Sequence, residues 1–514
     1  LILLNLFNVF MAIIGKLIKK STAIGFKLNA KKNSEYKNQL SSLSSLLEIA
    51  KITKFGMVHS FHDILKHTDV VSKFQKNVPI TDYEEFYGKW LKQTLLGTKN
   101  HTWKGKIKYF ALSSGTTGSP SKKLPISIEM IRSFQKTSIN QLTLLHELNL
   151  AESFFSASVL TVGGSIELSK KDKHIEGDLS GILKKHTSLL ATPFTKPGNR
   201  ISRIKNWDDK IKAIIEKAPK WNIGIIAGIP SWCILLMEEI VEHYQLNSIH
   251  DIWPNLSIYV HGGVFMDPYV SRLNKLTKSE IILMDTYLAS EGYFAYQANP
   301  KSQGMKLLLN NGIFYEFIPF NSDFFDENGE LLDKQNAYTI NEVKKDIDYA
   351  LVISTNAGLW RYLIGDLVRF ENIIKREIKI TGRIKQFLSL CGEHLSLDNI
   401  NQALLLVSTH FKISISEFTI YADIDNLCHH WFLGIDEEVN QDEVLKALDK
   451  NISAINDDYA YVRKYNLNPP IITIIKTSKF HEFLAFQGKK GSQNKMPRVL
   501  NETQKVDWIT FING

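Results

Sequence analysis

One local pattern recurs along the chain and constrains its fold more than any other feature. A short apolar run enters a glycine- or hydroxyl-rich turn, and a stretch of helical periodicity follows. Residues 107–112 run into Ser113-Ser-Gly-Thr-Thr-Gly118, and beyond Pro125 helical spacing extends from Ile128 to about Leu148. Residues 222–230 precede a helix over 232–241, and 256–260 enter Gly262-Gly263 ahead of a helix start at Asp267-Pro268. A further strand, 281–284, runs into a loop at Asp285 to Ser290. Such units pack side by side with helices on the sheet faces, so the sequence predicts an α/β body with mixed sheets. Spaced apolar residues over 35–97 predict helices ahead of it, and Gly163-Gly164 between apolar runs predicts a hairpin.

Past about residue 312 the pattern turns strand-rich, with strands expected at 313–318, 350–354, 367–370 and 377–380. Thr381-Gly-Arg383 reads as a break, and the Tyr362-Leu-Ile-Gly-Asp366 stretch as a loop between apolar segments. The remainder has its own strands (413–421, 470–476) and a helix over 442–454. A length of 514 residues also favours more than one domain. The expected division is 12–382 and 383–514, a large N-terminal α/β domain and a smaller, mobile α+β C-terminal domain.

Charge and cysteine usage narrow the class. The formal charge of +9 comes from 62 Lys and Arg against 53 Asp and Glu, spread out apart from short lysine pairs. With no zinc-finger spacing and no arginine-rich recognition element, no nucleic-acid partner is expected. Cys233, Cys391 and Cys428 form neither a disulfide framework nor a CxxC pair, which suits a reducing, cytoplasmic setting. The apolar start is broken by Asn5 and Asn8, and residues 1–14 are short for a membrane span, so stable membrane insertion is not expected. Met11 reads as the start of the protein, with ten extra residues upstream. Oligomeric state is left open, a monomer being one of the possibilities.

Three loops carry chemistry. Gly115 and Gly118 permit a tight backbone whose N–H groups can ring a polyphosphate, and Ser113, Ser114, Thr116 and Thr117 add four hydroxyls. Lys122 or Lys123 can bring positive charge to a phosphorus under attack. The loop lacks the GxxxxGK[ST] pattern, and its composition also fits a plain Ser/Gly linker. Glu291, in Asp285-Thr-Tyr-Leu-Ala-Ser-Glu-Gly292, can hold Mg²⁺ and Tyr287 can flank a purine, although a Glu after a strand is often a helix-start charge. Asp366 has two acceptor oxygens for a ribose diol, or caps a turn.

In combination these segments are far more specific. SSGTTG, YLASEG, YLIGD and GRIKQFLSLCGEHL, in this order, resemble the adenylate-forming superfamily, and within it the GH3 acyl-acid–amido synthetases known from plants and found in bacteria. The resemblance runs from about residue 12 over nearly the whole chain, and a bacterial member is expected. It implies a large adenylate-forming domain over which a smaller C-terminal domain closes. It implies ATP and Mg²⁺ as cofactors, and a carboxylic acid and an amino acid or other amine as substrates. Ser113, Ser114, Gly115, Thr116, Thr117 and Gly118 would hold phosphates, Tyr287 and Ser290 would line the nucleotide site, and Gly262-Gly263 would run beside adenine. Glu291 would sit by Mg²⁺, Asp366 would grip the ribose, and Arg383 and Lys385 would lie at the hinge. Lys495, in Lys-Met-Pro-Arg498, matches the lysine that enters the active site; with Glu291 and Thr116 it makes the expected catalytic set.

The family pattern Tyr-Arg-x-Gly-Asp is altered, because Leu363 stands where the arginine is usual; Arg361 is expected to supply some of that charge. His394 is a weak candidate for the base that frees the amine. Phe154, Phe155, Val159, Leu160 and Trp232 are expected around the acid, favouring an aromatic or medium-length acyl group. An acyl- or aryl-CoA ligase, or a non-catalytic nucleotide-binding protein of the same fold, are the alternatives.

Overall fold

The computed structural model describes residues 19–22, 24, 35–113, 122–148, 150–187, 191–326, 329–384, 388, 390, 393, 395–424, 426–488 and 495–514. After helices between residues 35 and 95, the chain builds a hairpin, β1 (Tyr109–Ser113) and β2 (Lys122–Ile126), then β3 (Ser158–Thr161), β4 (Ser169–Lys170) and β5 (Ile175–Gly177). Strand–helix units supply β6 (Thr195–Lys196), β7 (Ile223–Ala227), β8 (Ile258–Gly262) and β9 (Ile282–Ala289). There follow β10 (Gly292–Tyr296), β11 (Met305–Leu307), β12 (Ile313–Pro319), β13 (Asp348–Thr355), β14 (Tyr362–Asn372) and β15 (Glu377–Arg383). Last come β16 (Phe418–Asp423), β17 (Cys428–Gly434) and β18 (Ile471–Ile475).

Among the described residues, eleven strands form one sheet in the order β12-β13-β14-β15-β11-β10-β9-β8-β7-β3-β6. Its two halves differ because their connections differ. Helices Trp207–Lys217, Pro230–His243 and Asp267–Leu276 carry the chain between or beyond β6 to β9, and β3, β6, β7, β8 and β9 pair in parallel. From β9 onward neighbours pair antiparallel, without crossover helices between them among the described residues, and with connections from the two-residue turn at Ser290-Glu291 to the longer stretch between Pro319 and Asp348. The helices bury Trp207, Ile214, Trp232 and Met237 against Tyr259 and Tyr269, which makes one core. On the antiparallel half, Leu43, Leu46 and Leu47 of helix Glu35–Ala50 pack with Phe314, Phe317 and Trp360.

A smaller sheet, β2-β1-β5-β4, lies against Phe134, Tyr293 and Tyr296 through Tyr109, Ala111 and Ile126. The third sheet, β16-β17-β18, has its own core, in which Trp431 and Leu433 meet Leu404 and Leu448 of helices Leu397–Phe411 and Gln441–Ile455. No helix among the described residues is long and apolar enough to cross a membrane.

Four local expectations are corrected. Gly163-Gly164 does not close a hairpin: β3 is parallel to both its neighbours, and a methyl on Gly164 would lie 1.9 Å from the Asp178 carboxylate. Asp285 to Ala289 is not loop but the end of β9, kept extended by its pairing with β10, so the turn is only Ser290-Glu291. Tyr362 to Asp366 opens β14, with Gly365 at φ +92° taking up an irregularity in the strand. Thr381 to Arg383 is paired strand, because β14 supplies its hydrogen bonds.

Candidate active site

The carboxyl ends of parallel strands are where an α/β sheet presents ligands. Here β8 ends in Gly262-Gly263, and glycine is required twice for separate reasons. A methyl on Gly262 would lie 2.3 Å from the Thr286 carbonyl oxygen, while Gly263 has φ +82°. Thr286 ties the two strand ends together by donating to the His261 carbonyl at 2.7 Å.

Tyr287, one residue on, directs its hydroxyl to Asp366 Oδ2 at 2.6 Å. Pairing of β14 with β15 sets Asp366 opposite Arg383, whose Nε donates to Oδ1 at 2.7 Å. Both carboxylate oxygens are thereby oriented, and each keeps acceptor capacity for one more donor. The Asp366 charge, foremost among several causes, holds the Arg383 guanidinium above its ordinary range.

Glu291, in the β9–β10 turn, is only 7 % exposed. Burial, reinforced by the Asp366 charge, pushes its carboxyl up to about 7. Lys122 opposes that shift. It sits across the β1–β2 pair from Ser113 and lies over the Tyr83 ring at 5.2 Å. Burial lowers its pKa, and the Glu291 charge works against the fall. Successive strand residues face opposite ways, so Lys123 points elsewhere and donates to Glu176 at 2.8 Å. The two lysines that look equivalent in sequence thus separate: Lys122 acts on the carboxylates of the site, and Lys123 on the small sheet.

A third cation arrives from the far end of the chain. The Lys495 ammonium donates to the Gly263 carbonyl oxygen. Its side chain keeps contact with solvent in the cleft while protein surrounds the charged end, and that burial, then Arg383, lowers its pKa to about 8. A polar strap fixes the segment. Arg498 donates to Glu417 Oε2 at 2.9 Å and to the Phe418 carbonyl at 3.0 Å, and Tyr269 donates to Glu417 Oε1 at 2.6 Å. Arg272 reaches Ser416 Oγ at 3.1 Å and grips Glu238 through two bonds of 2.9 and 2.6 Å.

Ser113, Gly263, Tyr287, Ser290, Asp366, Arg383 and Lys495 all border one cleft of about 2920 Å³; Glu291 is buried next to Ser290 and does not itself line it. Ser114, Gly115, Thr116, Thr117, Gly118, Lys385 and His394 lie outside the described residues.

Arg361 does not serve the site. It is fully buried, paired with Glu316 at 2.9 Å and bonded to the carbonyls of Gln75, Val78 and Gln335. Leu363 packs on the apolar cluster around Ile80, Ile318 and Val352. Of the side chains expected around an acid, Val159 borders the cleft, whereas Phe154, Phe155, Leu160 and Trp232 are buried in the cores on either side. Sequence reasoning gave no role to Asp285, whose carboxyl faces the cleft and is raised by burial to about 7. It also missed Lys184 and Lys210, for which isolated lysines give no signal. Among the described residues no three His, Cys, Asp or Glu groups cluster as a self-sufficient metal site.

Three family models match in sequence order: the GH3 family N-terminal domain over residues 27–151 and 147–282, the central domain over 306–383, and the C-terminal domain over 398–504. The chain belongs to the GH3 family. Among GH3 relatives, it is 26% identical over 283 residues to indole-3-acetic acid-amido synthetase GH3.4 of Arabidopsis thaliana, covering 50% of this chain and 46% of the relative. It is 28% identical over 273 residues to jasmonoyl–L-amino acid synthetase JAR6 of Nicotiana attenuata, covering 49% and 46%. The matched segments span about half the length of these curated relatives. In fold, the GH3 chain is similar to the GH3.15 acyl acid amido synthetase, with TM-score 0.76 at 17% identity over 95% of this chain and 96% of that one. It is also similar to 2-hydroxyisobutyryl-CoA ligase in complex with 2-HIB-AMP, with TM-score 0.58 at 10% identity over 93% and 92%.

Proposed function

We propose that this GH3 chain activates a carboxylic acid with ATP as the acyl-adenylate and passes the acyl group to an amine, an amino acid being the expected acceptor. The observation that carries this reading is the meeting of Lys495 with the Tyr287–Asp366–Arg383 triad on one cleft. The names of its relatives support the same chemistry for them.

The residues fit the reactants. Asp366 is held by Tyr287 and Arg383 with acceptor capacity left over, as a vicinal diol of ribose needs. Magnesium binds proteins through one or two carboxylates and completes its shell with water and phosphate oxygens, so Glu291 alone could serve as the protein's donor. When bound, the ion neutralises phosphate charge. A carboxylate is a poor acyl donor because oxide would have to leave. Attack of its oxygen on the α-phosphorus expels pyrophosphate and creates a mixed anhydride from which AMP leaves readily. Lys495 and Lys122 supply positive charge where negative charge grows on the phosphoryl oxygens. The amine then attacks the acyl carbon in its neutral form; the C–N bond forms as the C–O bond to AMP breaks, and the nitrogen gives up one proton to solvent.

Residues 12–382 and 383–514 are read as the two moving parts, the second carrying Lys495 in and out. The free thiols Cys233 and Cys428 are in keeping with a cytoplasmic enzyme. The test is pyrophosphate release across a panel of acids, each alone, with each amino acid, and with coenzyme A. Amide formation supports the reading, and thioester formation replaces it with a CoA ligase. AMP binding with no pyrophosphate from any acid makes the chain a nucleotide-binding protein.

A further inference from the structure

Away from the triad, two ammonium groups converge on the cleft wall at the end of β3. Lys184, on helix Leu179–Lys185, donates to Thr161 Oγ1 at 3.3 Å and to the Lys196 carbonyl at 3.4 Å. Lys210, on helix Trp207–Lys217, donates to the Gly163 carbonyl at 3.2 Å and is only 4 % exposed. Each ammonium has three protons, and these three partners are all neutral oxygens. Among the described residues neither lysine makes an ion pair. Asp178 is the one acid whose charge acts on Lys210, and it packs instead on the Gly164 backbone with its own ionised form disfavoured by burial. Among the described residues, Asp178 is thus the one carboxylate whose charge acts on this pair of cations.

Burying cations without matching charge is unfavourable, and the lysine pair bears the mark of it: burial, then the Lys210 charge, lowers Lys184 to about 8. An anion docking between them would reverse that penalty. Val159, Leu183, Ile214 and Ile225 border the same cleft and suit a hydrocarbon spacer. Strands β3, β7, β8 and β9 are successive neighbours, so the lysines stand roughly 14 Å along the sheet from the strand that bears Tyr287. That is the reach of a medium-length substrate, not of a neighbouring atom.

We propose that Lys184 and Lys210 form a carboxylate-binding subsite, so that one of the two organic substrates presents a second, ionised carboxylate at the β3 end of the cleft. The subsite rests on the acyl-activating reading for its substrates. The carboxylate has two possible sources: the far end of a dicarboxylic acid, or the α-carboxylate of the acceptor amino acid.

Two arms of one experiment separate them. In the first, pyrophosphate release without amine compares α,ω-dicarboxylates with monocarboxylates of the same chain length, for the unmodified protein, Lys184→Met, Lys210→Met and the double variant. In the second, amide formation compares amino acids with their carboxamides. A preference of about tenfold or more in KM for the carboxylate-bearing substrate, lost in the double variant, is expected in one arm. Preference in the first arm assigns the carboxylate to the acid; preference in the second alone assigns it to the acceptor. No preference in either arm, or a preference that survives both substitutions, overturns the subsite. Lys184→Gln and Lys210→Gln, with melting curves, guard against simple misfolding. If no acid releases pyrophosphate, the activity reading fails, and the subsite is then judged by thermal shift with glutarate. Stabilisation of the unmodified protein but not of the double variant supports it, and equal responses overturn it.

Discussion

Asp366 joins two strands' worth of positioning in one side chain, since Tyr287 and Arg383 fix its two oxygens separately. Asp366→Asn is expected to weaken AMP binding by roughly 1.5–3 kcal/mol, measured by calorimetry, because a charged acceptor becomes a neutral one. The unmodified protein should also bind AMP more tightly than its 2′,3′-dideoxy analogue; equal affinities would remove Asp366 from the ribose. On the proposed reading, Glu291 and Lys495 set a pH profile. The Glu291 carboxyl, at about 7, must be ionised to serve a cation, whereas Lys495, at about 8, must stay protonated to serve a phosphate. Pyrophosphate release should therefore rise through about 7 and fall above about 8. Lys495→Arg should carry the falling limb to higher pH. Stability moves the other way. Because the folded-state pKa of Glu291 lies above its ordinary 4.5, the folded protein binds the extra proton between 4.5 and about 7, and stability drops as pH rises through that window. Glu291→Gln should thus slow the reaction yet raise the melting temperature of the ligand-free protein at alkaline pH, the gain being at most about 3 kcal/mol.

Strand pairing decides what the motifs become. Glu176 on β5 is pushed up by burial, but hydrogen bonds from Lys123, His174 and Lys171 outweigh this and hold it at about 2. Its folded-state pKa is depressed from 4.5, so its contribution is full above that value and is lost as pH falls toward 2. Glu176→Gln should cost about 1–3 kcal/mol at neutral pH in denaturant melts and flatten the acid limb of stability. The same pairing explains what was legible in the sequence. Apolar runs announced β7, β8 and β12, and the ordered motifs announced Tyr287, Glu291 and Asp366, because each has a local signature. The polar Asp285-Thr-Tyr stretch concealed the continuation of β9, which only the β10 partner makes extended. β17, with two histidines in Cys428-His-His-Trp-Phe-Leu-Gly434, likewise owes its state to two flanking strands. Arg361 looked like a site charge because its neighbours in sequence are site residues. Its partner Glu316 is 45 positions away, and no local pattern reports such a pairing. Lys184 and Lys210 matter only through the cleft wall they share, which is a property of the folded chain.

For the whole molecule, the expectation concerns division of labour between half-reactions. Lys495→Ala should strongly depress acid-dependent pyrophosphate release while a supplied acyl-adenylate is still converted to amide at an appreciable rate. Equal loss in both would show that the lysine is not confined to the first step. Arg498→Met tests the strap rather than the chemistry. It leaves Glu417 without its partner guanidinium, and should increase limited proteolysis near residue 495 while lowering pyrophosphate release less than Lys495→Ala does. Arg498 and Lys495 are only three residues apart, and the first is bonded to the strand that opens the third sheet. That closeness acts as an interlock. On the proposed reading, Lys495 cannot linger over an adenylate once the smaller lobe swings away, so the departure of one cation would clear the doorway for the nucleophile, its timing written into the spacing of two side chains.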